Sequence, residues 1–311
     1  MDERLRRRLG RLVDAEPVQR GLTPVWKALG RVGVVETTPS VAPHIHGGLG
    51  NQIFMLATAR FHARRTGRQL VLRPRVFNGP PYWDTIFAPL LAEDGVVMLE
   101  PGTGLRHVIG PSLVHTEPDY SFSPIPDVPT PSIRLMGFFQ SARYFPDEDL
   151  SWIARPVAEV AEVSRRILDA DSPEGWVFVH VRRGADYRKL PHLHPVVAES
   201  YYEEATSRFG PDARFVVSSD DMAWCRRADV FADQRFRFMP DGVSAEVALE
   251  FGSRCTGGFV MANSSYSWWS VRLGTADRRV IAPDPWFGPA LAGRDLSDMY
   301  DPGWERIIWS G

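Results

Sequence analysis

The run Val177-Phe178-Val179-His180-Val181-Arg182-Arg183-Gly184-Ala185-Asp186-Tyr187 turns from apolar to cationic within a single step. From Trp176 to Val181 it is apolar and β-branched except at His180, the composition of a buried strand. It then delivers two guanidiniums into a turn containing Gly184. Adjacent side chains on a strand point to opposite faces, so Arg182 and Arg183 serve one ligand only if the strand ends there and Gly184 lets the turn rotate one of them. In an open α/β sheet, ligands bind at the carboxyl ends of strands, and the planar fork of Arg matches phosphate oxygens. Two readings stand side by side: a pyrophosphate clamp, or a structural ion pair with Asp186 or Asp220.

On the C-terminal side the chain alternates. Helical spacing over 201–209 is followed by a strand over 214–221, a helix over 222–229, a helix over 244–255 capped by Ser244, and a strand over 259–262. Asn263 to Ser270 opens a further helix. Such alternation predicts a doubly wound parallel sheet. Polar residues gather at three strand ends: Arg182 and Arg183; Ser218, Ser219, Asp220 and Asp221; Asn263, Ser264 and Ser265. At a helix start the hydroxyls and amides of Ser264 and Ser265 suit phosphate oxygens, and Asp220 or Asp221 suits the N1–H and exocyclic amine edge of guanine. Together they describe a site for a nucleoside-diphosphate sugar. Fixed Arg donors stabilise the charge that develops on a departing diphosphate, so this chemistry needs no metal.

Toward the N-terminus, Ile45-His46-Gly47-Gly48-Leu49-Gly50-Asn51-Gln52-Ile53-Phe54 reads as a short strand, a glycine loop and a helix with Ile53, Phe54, Ala57 and Phe61 as its buried stripe. Gly47, Gly48 and Gly50 permit close backbone approach to a ligand, and Asn51 and Gln52 stand at the helix start. The loop matches neither the GxGxxG fingerprint nor a Walker loop. Gln69–Leu72 is a strand, residues 78–128 carry no long period, and Ile133 to Ser141 is a strand running into a turn at Gln140. Helices are expected within 147–170, interrupted at Pro156, and Asp171 to Gly175 is the expected interdomain hinge. Ahead of all this, Leu5, Leu9, Leu12 and Val13 define a basic amphipathic helix over 2–14 that can lie on a membrane or cap a neighbouring domain. A second short helix over 24–32 and a linker over 37–40 follow.

A chain of 311 residues with 44% apolar content suits one large or two ordinary globular domains. The formal net charge of −2 predicts no bulk attraction to nucleic acid or anionic membrane. Cys225 and Cys255 lack disulfide or zinc-ligand spacing and read as free thiols. Neither a transmembrane run nor a signal peptide is recognisable, which places the chain in the cytoplasm, with membrane contact at most peripheral through residues 2–14. His192 and His194 lack a carboxylate ligand nearby; Asp147/Asp149 and Asp169/Asp171 have DxD spacing, but the first pair sits where a helix should start and acidic residues favour that position, and no metal is expected. Trp268 and Trp269 read as core.

With these residues in view the chain resembles the α-1,2-fucosyltransferases of glycosyltransferase family 11 and, more distantly, the α-1,6- and protein O-fucosyltransferases. The resemblance runs in order over about residues 44–309. It is carried by Gly47 to Phe54, Gly137 to Ser141, Tyr144-Phe145, His180 to Gly184, Ser219 to Asp221, Ala262 to Trp269, Ile281 to Pro283, Trp286-Phe287 and Trp304 to Ile307. Here Ala185 separates Gly184 from Asp186, where the family commonly has Arg-Arg-Gly-Asp-Tyr.

The resemblance implies a GT-B-type α/β architecture, two Rossmann-like α/β domains facing a central cleft. Residues 1–40 would be an extension, 41–172 the acceptor-side domain and 173–311 the donor-binding domain. It implies metal-independent, inverting transfer from GDP-β-L-fucose to the 2-hydroxyl of a galactose-containing glycan. His180 and Asp220 would lie by guanine or ribose, Arg183 and Arg182 would hold the diphosphate, and Ser264 and Ser265 would add phosphate contacts. Asn51 would stand near the leaving group and fucose. No general base is apparent from the residues, His46 and Asp84 being candidates by proximity to the motifs alone. Transfer of another GDP-deoxysugar, or non-catalytic binding of a GDP-sugar or glycan, are the alternatives.

Overall fold

Why β6, Val177–Val181, is a strand is visible in its two faces. Val177, Val179 and Val181 join Tyr201, Tyr202, Phe215 and Val217 in one apolar cluster, and on the other face Phe178 meets Phe251 and Phe259. A strand covered on both sides reads as continuously apolar. The structure, a computed structural model, describes residues 38–99, 112–127, 132–275 and 277–309. The helices expected at 2–14 and 24–32 lie outside the described residues. The chain forms two compact units that divide between Ala154 and Arg155, so residues 171–175, read as a hinge, fall within the second unit.

In the first unit the elements are β1 (Ser40–Pro43), α1 (Leu49–Arg65), β2 (Gln69–Leu72), α2 (Ala88–Leu91), β3 (Val96–Met98), β4 (Ser112–Thr116) and β5 (Ser132–Met136). The strands form one parallel sheet in the order β3-β2-β1-β5-β4. The first strand starts earlier than its sequence suggested. Ile45 lies past its end, and His46 makes a single bridge to Phe77. The segment expected to be irregular supplies α2, β3 and β4, elements too short to show a period. Helix α1 buries residues around most of its circumference, from Leu49 to Ala63, rather than one stripe. Its Arg60, 3% exposed, is neutralised by Glu93 and Glu148.

The second unit contains α3 (Val157–Leu168), β6, α4 (Ala185–Lys189), α5 (Glu199–Ser207), β7 (Phe215–Ser219), α6 (Met222–Cys225), β8 (Phe236–Phe238), α7 (Ala245–Arg254), β9 (Gly258–Val260), α8 (Ser265–Arg272), β10 (Val280–Asp284) and β11 (Glu305–Ile308). Its six strands are all parallel, in the order β11-β10-β9-β6-β7-β8. Strand succession runs from β6 through β7 to β8, then crosses back to β9 on the other side of β6. That is the doubly wound arrangement, with its order reversing between β6 and β9. Pro156 precedes α3 and Ser244 caps α7 by accepting the Val247 N–H at 3.4 Å. A buried clamp unites α7 and α8. Arg278, 7% exposed, donates to the carbonyls of Gly252, Ser253, Cys255, Ser270 and Val271, and burial lowers its pKa to about 10.

Candidate active site at the reversal of strand order in the second unit

His180 lies on the same face of β6 as Phe178. Its Nδ1 is 2.6 Å from Ser267 Oγ and its ring centre 4.9 Å from that of Tyr266. Desolvation, reinforced by the charge on Arg182, lowers its pKa to about 3. At ordinary pH it is therefore a neutral imidazole, suited to hydrogen bonding and not to neutralising phosphate.

Past Val181 the two guanidiniums separate. Arg182 is gripped by the carboxylates of Asp220 and Asp186 and lies 4.8 Å from the Tyr187 ring centre. Tyr187 in turn donates to Asn263 O at 2.7 Å. The structural pairing is thus realised at Arg182, with both of the carboxylates considered for it. Arg183 goes elsewhere: its backbone N–H donates to Asp220 Oδ1 at 2.8 Å, while its guanidinium carbon lies 3.8 Å from the Trp224 ring centre. Its Nε is buried without a hydrogen-bond partner, and among the described residues its side chain makes no ion pair. Gly184 has φ −56° and needs no special backbone freedom. A Cβ there would come within 2.3 Å of Asp220 Oδ2 and 2.8 Å of Asp186 Oδ1, so the glycine makes room for the carboxylates around Arg182.

The other strand ends are engaged in ways the sequence did not reveal. With Asp220 committed to Arg182 and to the Arg183 N–H, its carboxylate serves the scaffold. Asp221 caps α6, accepting the Trp224 N–H at 3.1 Å, and pairs with Arg188 at 3.1 Å. Ser219 Oγ accepts the Asp221 N–H at 2.9 Å. Asn263, 1% exposed, donates to Pro195 O and Trp286 O at 2.9 and 3.1 Å and so ties three loops together. Its Oδ1 is buried without a partner. Ser264 caps α8 by accepting the Tyr266 N–H at 3.3 Å, and Ser265 is the first residue of that helix. Trp268 and Trp269 are core.

Beside this rim, a cavity of about 400 Å³ opens at the ends of β7 and β8, lined by Ser219, Asp220, Asp221, Met239, Asp241 and Val243 among others. Its far wall, the turn over 239–243, was missed from sequence, where Met-Pro-Asp-Gly-Val reads only as a turn. Among the described residues no three His, Cys, Asp or Glu side chains converge as metal ligands. Glu148 instead pairs with Arg60, Asp171 with Arg165, and the His194 ring stacks against Tyr187.

In the first unit the glycine turn is held by Gln52, whose Nε2 donates to Gly47 O at 2.8 Å and Pro80 O at 2.9 Å. Gly48 caps α1, and Gly50 lies buried in its first turn. Asn51 Oδ1 accepts from Gln140 Nε2 at 2.7 Å. His46 Nδ1 is 2.9 Å from His44 O, and Asp84 lies on an exposed turn.

The sequence profile of Glycosyl transferase family 11 matches residues 131–307, from β5 to β11 and so across the whole second sheet. The chain belongs to glycosyl transferase family 11.

Family membership brings particular relatives into view. The chain is 30% identical over 190 residues to an alpha-1,2-colitosyltransferase of Escherichia coli, covering 57% of this chain and 63% of that protein. It is 26% identical over 252 residues to galactoside alpha-(1,2)-fucosyltransferase 1 of Ateles belzebuth, 76% of this chain and 66% of the relative. Both matches thus span less than two thirds of the relative's length. Among solved structures, the selenomethionine form of fucosyltransferase NodZ from Bradyrhizobium superposes with a TM-score of 0.51 at 15% identity, over 80% of this chain and 95% of that one. At that identity the likeness concerns the α/β fold alone.

Proposed function

We propose that this member of family 11 is a galactoside α-1,2-fucosyltransferase, moving L-fucose from GDP-β-L-fucose to the 2-hydroxyl of a galactose-containing glycan with inversion and without a metal. The observation that carries the reading is Arg183: a guanidinium free of carboxylates among the described residues, at the strand end beside the reversal in strand order. As the bond from fucose C1 to the phosphate oxygen breaks, its electron pair passes to the diphosphate. A fixed guanidinium there stabilises that charge more than it stabilises the bound donor. The acceptor oxygen forms the new bond from the opposite face, which inverts the anomeric centre, and its proton passes to a base or to solvent. The N–H groups and hydroxyls at the start of α8, Ser264 and Ser265, contribute further phosphate contacts.

In this reading the cavity walled by the 239–243 turn holds the guanosine, and neutral His180 serves the guanine or ribose. Arg182 belongs to the scaffold that aims Arg183. A GT-B arrangement, with residues 41–172 on the acceptor side and 173–311 holding the donor, belongs to the proposal, as do cytoplasmic placement and peripheral membrane contact through 2–14. A second donor is favoured by the similarity to a colitosyltransferase, since a clamp for GDP does not read the sugar. Turnover of GDP-fucose with a galactoside acceptor tests both, with the linkage of the product read by NMR. Arg183→Ala abolishes transfer while the unfolding temperature holds; full activity of that variant rejects the mechanism. Preference for a competing GDP-sugar in a mixed-donor assay replaces fucose by that sugar.

A further inference from the structure

On the other flank of the second sheet, β10 and β11 stand two and three places from β6, and a further cavity of about 520 Å³ opens beside them. That is the size of a small-molecule cleft, about 300–1,000 Å³. Its lining includes Asp284, Ser297, Tyr300, Asp301, Trp304 and Arg306. The transfer site proposed above uses none of them.

The two aromatic walls are fixed from behind. Tyr300 donates its hydroxyl to Pro283 O at 3.0 Å and meets the buried Trp286 edge-on, with ring centres 5.6 Å apart. The Arg306 guanidinium carbon lies 5.1 Å from the Tyr300 ring centre. Trp304 meets Trp268 edge-on at 6.5 Å and ends the turn Asp301-Pro302-Gly303-Trp304, where its N–H donates to Asp301 O at 3.0 Å. Asp301 Oδ1 accepts the Gly303 N–H at 2.9 Å and tightens that turn. Rings held in this way lose little freedom when a ligand packs against them.

The polar lining keeps hydrogen-bonding capacity for a guest. Arg306 and Asp284 stand 3.4 Å apart, longer than a good N–H···O bond, and their side chains remain 54% and 34% exposed. Among the described residues Asp301 makes no ion pair, and Ser297 adds a hydroxyl. One guanidinium against two carboxylates leaves the lining net negative, which disfavours a phosphate, a nucleotide or an acidic sugar. A metal ion has no ligand set here, since among the described residues no three His, Cys, Asp or Glu side chains converge. A wholly apolar guest would strip water from these charges without replacing it. What fits both the rings and the planar polar groups is an uncharged molecule with apolar C–H faces and a rim of hydroxyls, which both donate and accept.

We propose that this cavity binds a neutral oligosaccharide, with Trp304 and Tyr300 packing against the C–H face of a sugar ring and Asp284, Asp301 and Arg306 hydrogen-bonding its hydroxyls. The site stands within the second unit and does not depend on the transferase reading.

Saturation-transfer NMR on the full chain tests this, with lactose, maltotriose and cellotriose as neutral probes and sialyllactose as the anionic one. A neutral probe binds, and sialyllactose binds no more tightly. Trp304→Ala weakens that binding on the order of tenfold or more, as for loss of an aromatic anchor. Arg306→Gln, at a half-exposed side chain, weakens it roughly three- to tenfold, and Arg183→Ala leaves it within twofold. Hydrogen exchange slows over residues 296–306 when the probe is added. Binding of no neutral probe, tighter binding of sialyllactose, or an affinity unchanged by both Trp304→Ala and Arg306→Gln overturns the proposal. If Trp304→Ala does not fold, Arg306→Gln and the exchange map decide, and unchanged affinity with protection elsewhere overturns it.

Discussion

The guanidinium of Arg183 stacks on Trp224, 3.8 Å from the ring centre, while its backbone N–H is fixed by Asp220. The ring orients the cation without neutralising it, which a carboxylate in the same place would do. Cation–π contacts are worth roughly 0.5–2 kcal/mol, depending on desolvation. Trp224→Leu therefore weakens GDP binding between roughly two- and thirtyfold by calorimetry, Trp224→Phe does so less, and Trp224→Leu adds little in an Arg183→Ala background. Additive losses in that cycle would show that the two side chains act separately.

Arg182 and Arg183 are adjacent in sequence and opposite in consequence. Removing Arg182 leaves Asp186 and Asp220 facing each other across Gly184 without their shared partner. Arg182→Ala lowers stability by roughly 2–3 kcal/mol in urea unfolding. Arg183→Ala leaves the midpoint nearly unchanged and removes transfer. Equal effects on stability would contradict this division.

Glu117 gives stability a pH dependence of unusual sign for a carboxylate. Desolvation raises its pKa to about 7, against its hydrogen bonds from Phe139, Phe138 and Tyr144, and Asp119 adds to the rise. The folded state thus binds a proton that the unfolded chain releases near 4.5. The associated stability is complete below that value and is lost as pH rises through about 7. The unfolding midpoint of wild type, measured against that of Glu117→Gln from pH 4.5 to 8, falls across this window. A constant difference would show that Glu117 ionises normally.

His180 titrates in the opposite sense. Its folded pKa, lowered by desolvation to about 3, lies below the ordinary 6.5. Its contribution is therefore complete above 6.5 and is lost as pH falls toward 3. His180→Gln, which can still hydrogen-bond Ser267, loses less stability than wild type between pH 6.5 and 4 in thermal unfolding. Identical acid sensitivity would place the titrating group elsewhere.

Arg278 supports two helix ends by itself. Arg278→Met keeps the length but abandons the carbonyls of Gly252, Ser253, Cys255, Ser270 and Val271, and costs roughly 2–4 kcal/mol. Hydrogen exchange at the last turns of α7 and α8 accelerates together in that variant. Acceleration of one helix alone would show that the clamp is not shared.

Much of the second sheet was legible because local pattern and burial agree there. Short β-branched and aromatic runs ending in polar residues read as buried strands, and Ser244 and Ser264 mark helix starts by simple capping chemistry. The strand ends that carry these polar residues were legible, but not the division of labour among them. Sequence offers two arginines and three nearby carboxylates, Asp186, Asp220 and Asp221, and only long-range geometry decides that Asp220 takes Arg182 while Trp224 takes Arg183. Asn263 was misread for the same reason: polar at a strand end, it turns inward to bind loops from residues 195 and 286. Glu117 and Arg278 left no trace in the local pattern, since the partners of Glu117 lie 21 and 22 residues away and three of the five carbonyls that Arg278 holds lie 23 to 26 residues away along the chain.

The rim of β6 carries three guanidiniums, of Arg182, Arg183 and Arg188, and three carboxylates, of Asp186, Asp220 and Asp221; Arg182 pairs with Asp186 and Asp220, Arg188 with Asp221, and Arg183 lies on Trp224. Three minus three leaves this rim with no net charge. A dianionic visitor approaching through solvent therefore meets no attractive field beyond a screening length, and gains its stabilisation only on arrival, from a single cation already in place. Capture of nucleotide by this protein should then be slow to respond to added salt, with affinity governed by how long the ligand stays and hardly at all by how fast it comes.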